Sequence, residues 1–369
     1  MNGQEFEHGL VVGKFYPPHE GHLYLIATAL FHCRHVSVLV LGASAERLAM
    51  RLRAQWIREC FPTADGLRVV AELDDLPIDF EDGGIWSAHV AVMRNGLRRI
   101  AAEYDRDDAS VDVVFSSEQY GAELARRFGA RHVCLDRMRT LHPISASAIR
   151  ADLPAHWMQL PPPVRAGLAL RVVVVGAEST GTTTLARDLC AALRSRGGTW
   201  ERTLWLPEYG REYSVNLLAV ARARDPNATP YDIVWHDDDF THIAEEQTRR
   251  EGVAAREGGP VLVCDTDALA TCVWHERYRG HVSASVRAIA SAMPPRALYL
   301  LTDHRGVAFE DDGLRDGEHL REWMSERFAQ MLRGGTVPWH LVTGSPEERL
   351  AESLRHVDDA MPVWWPFLG

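Results

Sequence analysis

Two α/β domains, each built on a doubly wound parallel sheet, are predicted by three observations. Short apolar, β-rich runs alternate with helical stretches along the 369 residues. That alternation is interrupted at Leu160-Pro161-Pro162-Pro163-Val164 and restarts beyond it. In each half the first apolar run opens into a glycine-bearing loop and then a helix, the arrangement in which open parallel sheets receive ligands at the carboxyl ends of their strands.

In the first half the candidate strands are Gly9–Val12, His35–Leu41, Leu67–Ala71, Val111–Phe115 and Arg131–Leu135, with a helix over Leu23–Leu30. The three consecutive prolines at 161–163 supply no backbone donors and favour extended structure, so the domain boundary is expected within residues 155–170, giving domains 1–160 and 161–369. In the second half the candidates are Leu170–Val175, Thr203–Leu206, Val261–Cys264, Ala297–Leu301 and Trp339–Val342, with a helix from Leu185. The halves share a class but no motif, so there is no internal repeat. Asp303–Glu318, rich in Asp, Gly and Arg, reads as a mobile loop or lid.

Apolar residues make up 46% of the chain and charged residues 25%, an ordinary globular balance in which each half is long enough to bury a core. The net charge of −11 argues against broad nucleic-acid binding, which needs clustered Lys and Arg, but not against nucleotide binding, which needs only a few local donors. The six cysteines are scattered with no C-x-x-C pair, which excludes zinc spacing and a disulfide scaffold and suggests free thiols in a reducing compartment. No apolar run approaches the roughly 20 residues of a membrane span, and the polar, acidic N-terminus is no secretory signal. The expectation is a cytoplasmic protein with no membrane or nucleic-acid partner; homo-oligomerisation stays open.

After the first strand comes Gly13-Lys14-Phe15-Tyr16-Pro17-Pro18-His19-Glu20-Gly21-His22. Two histidines three apart at a helix start can donate to an anionic phosphate beside free backbone N–H groups, and Gly21 allows close backbone approach. The bland alternative is two helix-start histidines facing solvent. Further on, Ile144-Ser145-Ala146-Ser147-Ala148-Ile149-Arg150 gathers two hydroxyls and a guanidinium at another helix start, an anion cup or merely a capping serine with a surface arginine. Together these segments resemble the H-x-G-H nucleotidyltransferase superfamily with its I-S-x-S-x-I-R signature. The resemblance implies a Rossmann-like domain binding ATP. It would put His19, His22 and Lys14 beside the α-phosphate, Ser145, Ser147 and Arg150 behind on the β and γ phosphates, and Phe15 and Gly21 in the same site.

The second half opens on Gly176-Ala177-Glu178-Ser179-Thr180-Gly181-Thr182-Thr183-Thr184 between a strand and a helix, the spacing of a phosphate-binding P-loop. Thr182 stands where the usual lysine would be, while Thr183 supplies the hydroxyl expected to meet Mg²⁺. Asp265, at the end of an apolar strand in Cys264-Asp265-Thr266-Asp267, is the expected Mg²⁺-associated carboxylate. Glu208-Tyr209-Gly210-Arg211 and Asp311-Asp312-Gly313-Leu314-Arg315 supply further charged groups, although each alone could be a solvated loop.

The ordered set, from Gly13–Pro17 through Phe115-Ser116-Ser117-Glu118, the Ile144–Arg150 loop, Gly176–Gly181, Glu208–Tyr213 and Asp265–Asp267 to Asp311–Arg315, resembles the bifunctional nicotinamide-nucleotide adenylyltransferase and ribosylnicotinamide kinase family of NadR type over nearly the whole chain. That resemblance implies ATP and Mg²⁺ as cosubstrate and metal, nicotinamide mononucleotide and ribosylnicotinamide as substrates, and NAD as product. It implies Trp86 stacking on the nicotinamide with Ser116 nearby, although Trp86 could equally be a core residue. In the kinase half it implies Asp265 holding Mg²⁺ with Thr183, Glu208 orienting or deprotonating the ribose hydroxyl, Arg211 and Arg315 contacting substrate or the γ-phosphate, and Tyr209, Asp267 and Asp312 on the substrate and lid side.

Three departures from the family pattern stand out. Thr182 replaces the P-loop lysine, Ala148 leaves the signature loop one cation short, and the enzyme motif begins near residue 10, where some members carry a helix-turn-helix domain; no DNA binding is expected. The rival readings are an adenylyltransferase with a nucleotide-binding but weakly active or inactive kinase-like half, a nucleotide sensor with idle sites, and an adenylyltransferase or related enzyme acting on another phosphorylated acceptor such as pantetheine phosphate or glycerol phosphate.

Overall fold

Strands form at all ten apolar runs. The computed structural model describes residues 5–79, 81–103, 109–365 and 367. It divides into two compact units, one running to Val164 and the other spanning Arg165–Trp365.

In the first unit the elements follow in the order β1 (Phe6–Gly13), α1 (Glu20–His32), β2 (Cys33–Gly42), α2 (Met50–Cys60), β3 (Leu67–Leu73), α3 (Gly83–Glu103), β4 (Val113–Ser116), α4 (Gly121–Phe128), β5 (Arg131–Cys134) and α5 (Ala146–Ala151). All strand pairs are parallel and the sheet order is β3-β2-β1-β4-β5. Successive residues of a strand face opposite sides of the sheet, so a strand covered on both faces is apolar throughout. Val11, Val38 and Phe115 accordingly pack with Ile26 and Ala29 of α1 and Ile57 of α2. Their neighbours Leu10, Val12, Leu39 and Val114 pack on the other side with Val90 and Leu97 of α3 and Leu124 of α4. The chain leaves β1 toward β2 and β3 and returns to place β4 on β1's other edge, so the carboxyl ends of β1 and β4 flank a topological switch point.

The second unit continues with α6 (Pro162–Leu168), in which the boundary between the units falls, then β6 (Leu170–Gly176), α7 (Thr182–Arg194), β7 (Leu204–Leu206), α8 (Tyr209–Arg224), α9 (Asp237–Glu257) and β8 (Val261–Asp265). It ends with α10 (Ala268–Arg279), α11 (Ala284–Ala292), β9 (Leu298–Thr302), α12 (Arg321–Arg333), β10 (Trp339–Val342) and α13 (Pro346–Trp364). The sheet is again fully parallel, in the order β10-β9-β6-β8-β7, with β6 central and every residue of β6 buried. The proline cluster is not the extended linker its composition suggested. Pro162 and Pro163 open α6, where first-turn N–H groups have no partner to lose.

This unit also buries charge. The Glu251 carboxylate, 1% exposed, is held by Arg171 at 2.7 Å and by Arg296 at 2.6 Å, and Arg296 reaches on to Asp267 at 3.1 Å. Residues 303–317 lack helix and strand, as expected of the lid segment. Among the described residues no helix is long and apolar enough to cross a membrane.

Candidate active sites

The first site forms where β1 ends and α1 begins. His19 is the N-cap of α1 with extended backbone and is 6% exposed. Its N–H donates to Nδ1 of His22 at 3.3 Å, and the two rings lie 3.7 Å apart, tilted by 31°. With His22 Nδ1 accepting, the neutral ring carries its proton on Nε2. Burial, then Arg139 and His142, push the His19 ring down to about 4, and burial, His19 and Arg139 hold His22 well below the ordinary imidazole range. Both histidines are therefore neutral at neutral pH. Among the described residues His19 Nδ1 is buried with no hydrogen-bond partner, although buried polar atoms are nearly always paired. Gly21 makes this arrangement possible, because a Cβ there would lie 3.2 Å from the His19 ring.

All the residues expected at this site line one of two adjoining cavities. His19, Gly21, Ser145 and Ser147 line the smaller, of about 170 Å³, together with Arg139 and His142. Lys14, Phe15, Trp86, Ser116 and Arg150 line the larger, of about 570 Å³. His22 and Ala146 belong to both. Lys14 is paired with Glu46 at 3.0 Å, and Glu46 also holds the buried Arg53 at 2.7 Å. Ser145 caps α5 by accepting from Ala148 N, and Arg150 is steadied by Tyr16 O at 2.7 Å and Ser147 Oγ at 3.1 Å. Ser116 meets His132 at 2.9 Å.

Phe15 and Trp86 reach the cavity from within the core. Phe15 is 1% exposed, and its ring meets His22 edge-on at 4.8 Å. Trp86 packs with Val90 and Leu97, and the Arg127 guanidinium lies 5.3 Å from its ring. Arg139 and His142, and an acidic wall of Asp74, Asp75 and Asp79 in the larger cavity, were not singled out by sequence reasoning. The two basic residues sit in the loop just before the signature segment, where such residues could have been flagged. The acidic wall lies on a stretch between β3 and α3 that has no motif of its own.

The second site forms where β6 runs into the P-loop and α7. Gly176 cannot carry a side chain: a Cβ would fall 2.1 Å from Thr302 Oγ1 and 2.6 Å from Thr180 Oγ1. Gly181 adopts φ +86° as the N-cap of α7. A pocket of about 120 Å³ joins Gly176, Glu178, Ser179, Thr182, Thr183, Glu208, Arg211, Asp265 and Arg315, and so unites groups that are far apart in sequence. Thr183 Oγ1 donates to Asp265 Oδ2 at 2.5 Å. Burial raises the Asp265 carboxyl to about 6 against the opposing hydrogen bonds from Thr183 and Thr182. Burial and the nearby Asp265 charge raise Glu208 to about 8, with Arg211 opposing.

Asp267, Tyr209, Thr180, Thr184 and Asp312, also expected at this site, do not line the pocket. Asp267 is fully buried and caps α10 through Leu269 N and Ala270 N, with Arg296 and Tyr299 on its other oxygen. Tyr209 is buried, donates its N–H to Gln247 and pairs its hydroxyl with His242. Thr180 is tied to Ala177 O and Thr302, and Thr184 is exposed on α7. Asp312 acts at one remove, holding Arg211 by a short ion pair and Arg315 at 3.5 Å. Glu178 lines the pocket, but its carboxylate is committed to Arg277 at 3.0 Å and to Gly317 N at 2.8 Å.

Sequence reading missed the opposite wall, made of Trp235, Phe240, Trp274 and Tyr278. Trp235 and Tyr278 stack with centroids 5.0 Å apart, and Trp274 and Tyr278 at 6.4 Å. The four-residue spacing of Trp274 and Tyr278 on α10, soon after Asp265, was the available signal.

Comparison with known proteins finds similarity along most of the chain. Residues 171–349 match the family model described as an AAA domain. The "Trifunctional NAD biosynthesis/regulator protein NadR" of Salmonella typhimurium is 26% identical, over 96% of this chain and 83% of its own length. Its namesake from Escherichia coli is also 26% identical, over 83% and 71%. Among solved structures, a NadR protein in complex with NR matches with a TM-score of 0.64 at 20% identity, covering 98% of both chains. A NadR protein in complex with NAD and AMP-PNP matches with a TM-score of 0.60 at 21% identity, covering 96% of both. The similarity in sequence and in fold to these NadR proteins thus extends over nearly the whole length of the chain.

Proposed function

We propose that this chain is a bifunctional enzyme of NAD biosynthesis and salvage, with adenylyl transfer in residues 1–160 and ribosylnicotinamide phosphorylation in 161–369. The observation that carries the first activity is the close, tilted pair of neutral histidines at the start of α1, with one buried ring nitrogen lacking a partner among the described residues. A phosphate oxygen of nicotinamide mononucleotide attacks the α-phosphorus of ATP. The new P–O bond gives NAD, the bond to the β-phosphate breaks, and pyrophosphate leaves. His19 and His22 donate hydrogen bonds that strengthen as charge builds on the α-phosphate, while Arg150, Ser145 and Ser147 hold the leaving phosphates, with Arg139 added from the smaller cavity. The acidic wall beside Trp86 suits the cationic pyridinium ring of the acceptor. This favours a nicotinamide nucleotide over uncharged-ring acceptors.

In the second pocket the γ-phosphoryl group of ATP passes to the ribose 5′-hydroxyl. The new O–P bond forms as the bond to ADP breaks, and Glu208 takes the hydroxyl proton. Thr183 and Asp265 present the all-oxygen donor set that fits Mg²⁺, and would hold it where it neutralises phosphate charge. The aromatic wall of Trp235, Trp274 and Tyr278 offers the pyridinium a π-rich surface. A cytoplasmic setting fits the six free cysteines.

The test is incubation of the full chain with ATP, Mg²⁺ and ribosylnicotinamide. Both the mononucleotide and NAD are expected, and a His19→Ala variant should accumulate the mononucleotide. NAD formation at the normal rate by that variant would show the first site to be misplaced. Conversion of supplied mononucleotide to NAD without any phosphorylation of ribosylnicotinamide would leave an adenylyltransferase with an idle kinase-like half, the reading that Thr182 keeps in view.

A further inference from the structure

A P-loop without its lysine lacks the one side chain that normally carries positive charge to the β and γ phosphates. Here Thr182 occupies that position, and among the described residues four guanidiniums touch the loop instead. Arg277 is neutralised by Glu178 and Asp316. Arg321 and Arg349, both buried, donate to the loop's carbonyl oxygens, Ser179 O at 3.1 Å and Thr180 O at 2.7 Å, and do not line the pocket.

Arg315 differs from these three. It lines the pocket, donates to Ser179 Oγ at 3.2 Å and to Glu310 O at 2.6 Å, and its side chain keeps 23% of its surface exposed. Its carboxylate neighbours, Asp312 at 3.5 Å and Glu310 at 3.8 Å, are long contacts that a multiply charged phosphate would outcompete. The other guanidinium lining the pocket among the described residues, Arg211, is tied by a short ion pair to Asp312 and has no direct bond to the loop.

We infer that Arg315 replaces the absent P-loop lysine, contacting the β and γ phosphates of ATP in the second pocket from the lid rather than from the loop. The inference rests on reading that pocket as an ATP-dependent kinase site. A guanidinium can bridge two phosphate oxygens where an ammonium acts as a point charge, so the substitution changes the geometry of the contact without removing it. It also makes phosphate recognition conditional on the fold of residues 303–317, because the cation comes from that segment.

The test uses the full chain with NAD at saturation to fill the first site. Binding of ATP and of ADP, each with Mg²⁺, is measured by calorimetry for wild type, Arg315→Met, Arg315→Lys, Thr182→Lys and the Thr182→Lys/Arg315→Met double variant. Arg315→Met should lower the preference for ATP over ADP by about tenfold or more, and Thr182→Lys should restore it in that background. In ribosylnicotinamide-dependent ADP release, kcat should fall by about 10²–10³-fold in Arg315→Met with KM for ribosylnicotinamide little changed. Arg315→Lys should retain part of the activity.

An unchanged ATP/ADP preference in Arg315→Met overturns the inference. So does an equal effect of Thr182→Lys in the presence and absence of Arg315, since independent groups would simply add. If the preference depends on Arg315 but wild type does not phosphorylate ribosylnicotinamide, the phosphate contact stands and the acceptor assignment falls.

Discussion

The two candidate sites, each proposed to take a nucleoside triphosphate, are built with opposite electrostatics. In the first, burial and neighbouring basic groups, Arg139 among them, leave the histidines uncharged at the end of β1. In the second, the carboxylates Glu208 and Asp265 are pushed toward their protonated forms while permanently charged arginines surround the loop. A neutral donor strengthens its hydrogen bond as transition-state charge appears, without binding the ground state very tightly. A guanidinium binds phosphate in both states, so the second site must draw its rate advantage from position and from the carboxylates. The units beneath the sites differ in the same sense. The sheet of the first is sandwiched between two apolar layers, while the second buries an Arg–Glu–Arg–Asp chain beside its sheet.

The largest effect that would sharpen this contrast is on stability. Glu251→Ala strands Arg171 and Arg296 in the interior and should cost about 3–5 kcal/mol, read as a drop in the urea midpoint. An apolar truncation of similar burial in the first unit, Ile26→Ala, should cost about 2–5 kcal/mol by leaving a cavity. If Glu251→Ala is nearly silent, the buried charges do not define the second unit.

Next in size is catalysis. Asp265→Asn should lower ribosylnicotinamide phosphorylation by about 10²-fold or more and leave NAD synthesis from supplied mononucleotide intact. Loss of both activities would deny the independence of the sites. The rate of phosphorylation should also climb as pH rises toward about 8, because Glu208 must lose its proton to act as a base. A Glu208→Gln variant should be slow and nearly flat over that range.

The smallest effect is on the pH dependence of stability, and the two sites should contribute with opposite sign. His19 protonates near 6.5 when unfolded but only at about 4 when folded, so its contribution is present above 6.5 and is lost as pH falls toward 4. Glu208 ionises near 4.5 when unfolded but at about 8 when folded, so its contribution is present below 4.5 and is lost as pH rises through 8. Urea midpoints across pH 4.5–8 should fall less steeply on the acid side in His19→Ala and less steeply on the alkaline side in Glu208→Gln. The same slopes in wild type and both variants would refute the assignment.

Much of this architecture was legible because local signals matched global ones. Each strand is a short apolar run bounded by turn residues, and each phosphate loop lies directly after such a run, so His19, His22, Thr183 and Asp265 could be placed without seeing the fold. Two kinds of residue resisted. Asp267 looks like a ligand because it follows Asp265 by two positions, yet two steps past the end of β8 it becomes a helix cap and a counter-ion for Arg296. Trp235, Trp274 and Tyr278 look like core aromatics, and only the way α10 packs on α9 assembles them into a wall. Likewise Arg321 and Arg349 come from helices more than a hundred residues beyond the loop they support, a proximity that no local pattern encodes.

Arg277 binds Glu178 of the P-loop and Asp316 of the lid while its guanidinium lies 5.1 Å from the Trp274 ring and 4.7 Å from that of Tyr278. One rigid, permanently charged fork is thus shared by the nucleotide cradle, the cover and the wall facing the acceptor. Replacing Arg277 would therefore disturb the cradle, the cover and the wall together rather than any one of them. Arg277 is the joint at which the loop, the cover and the aromatic wall meet.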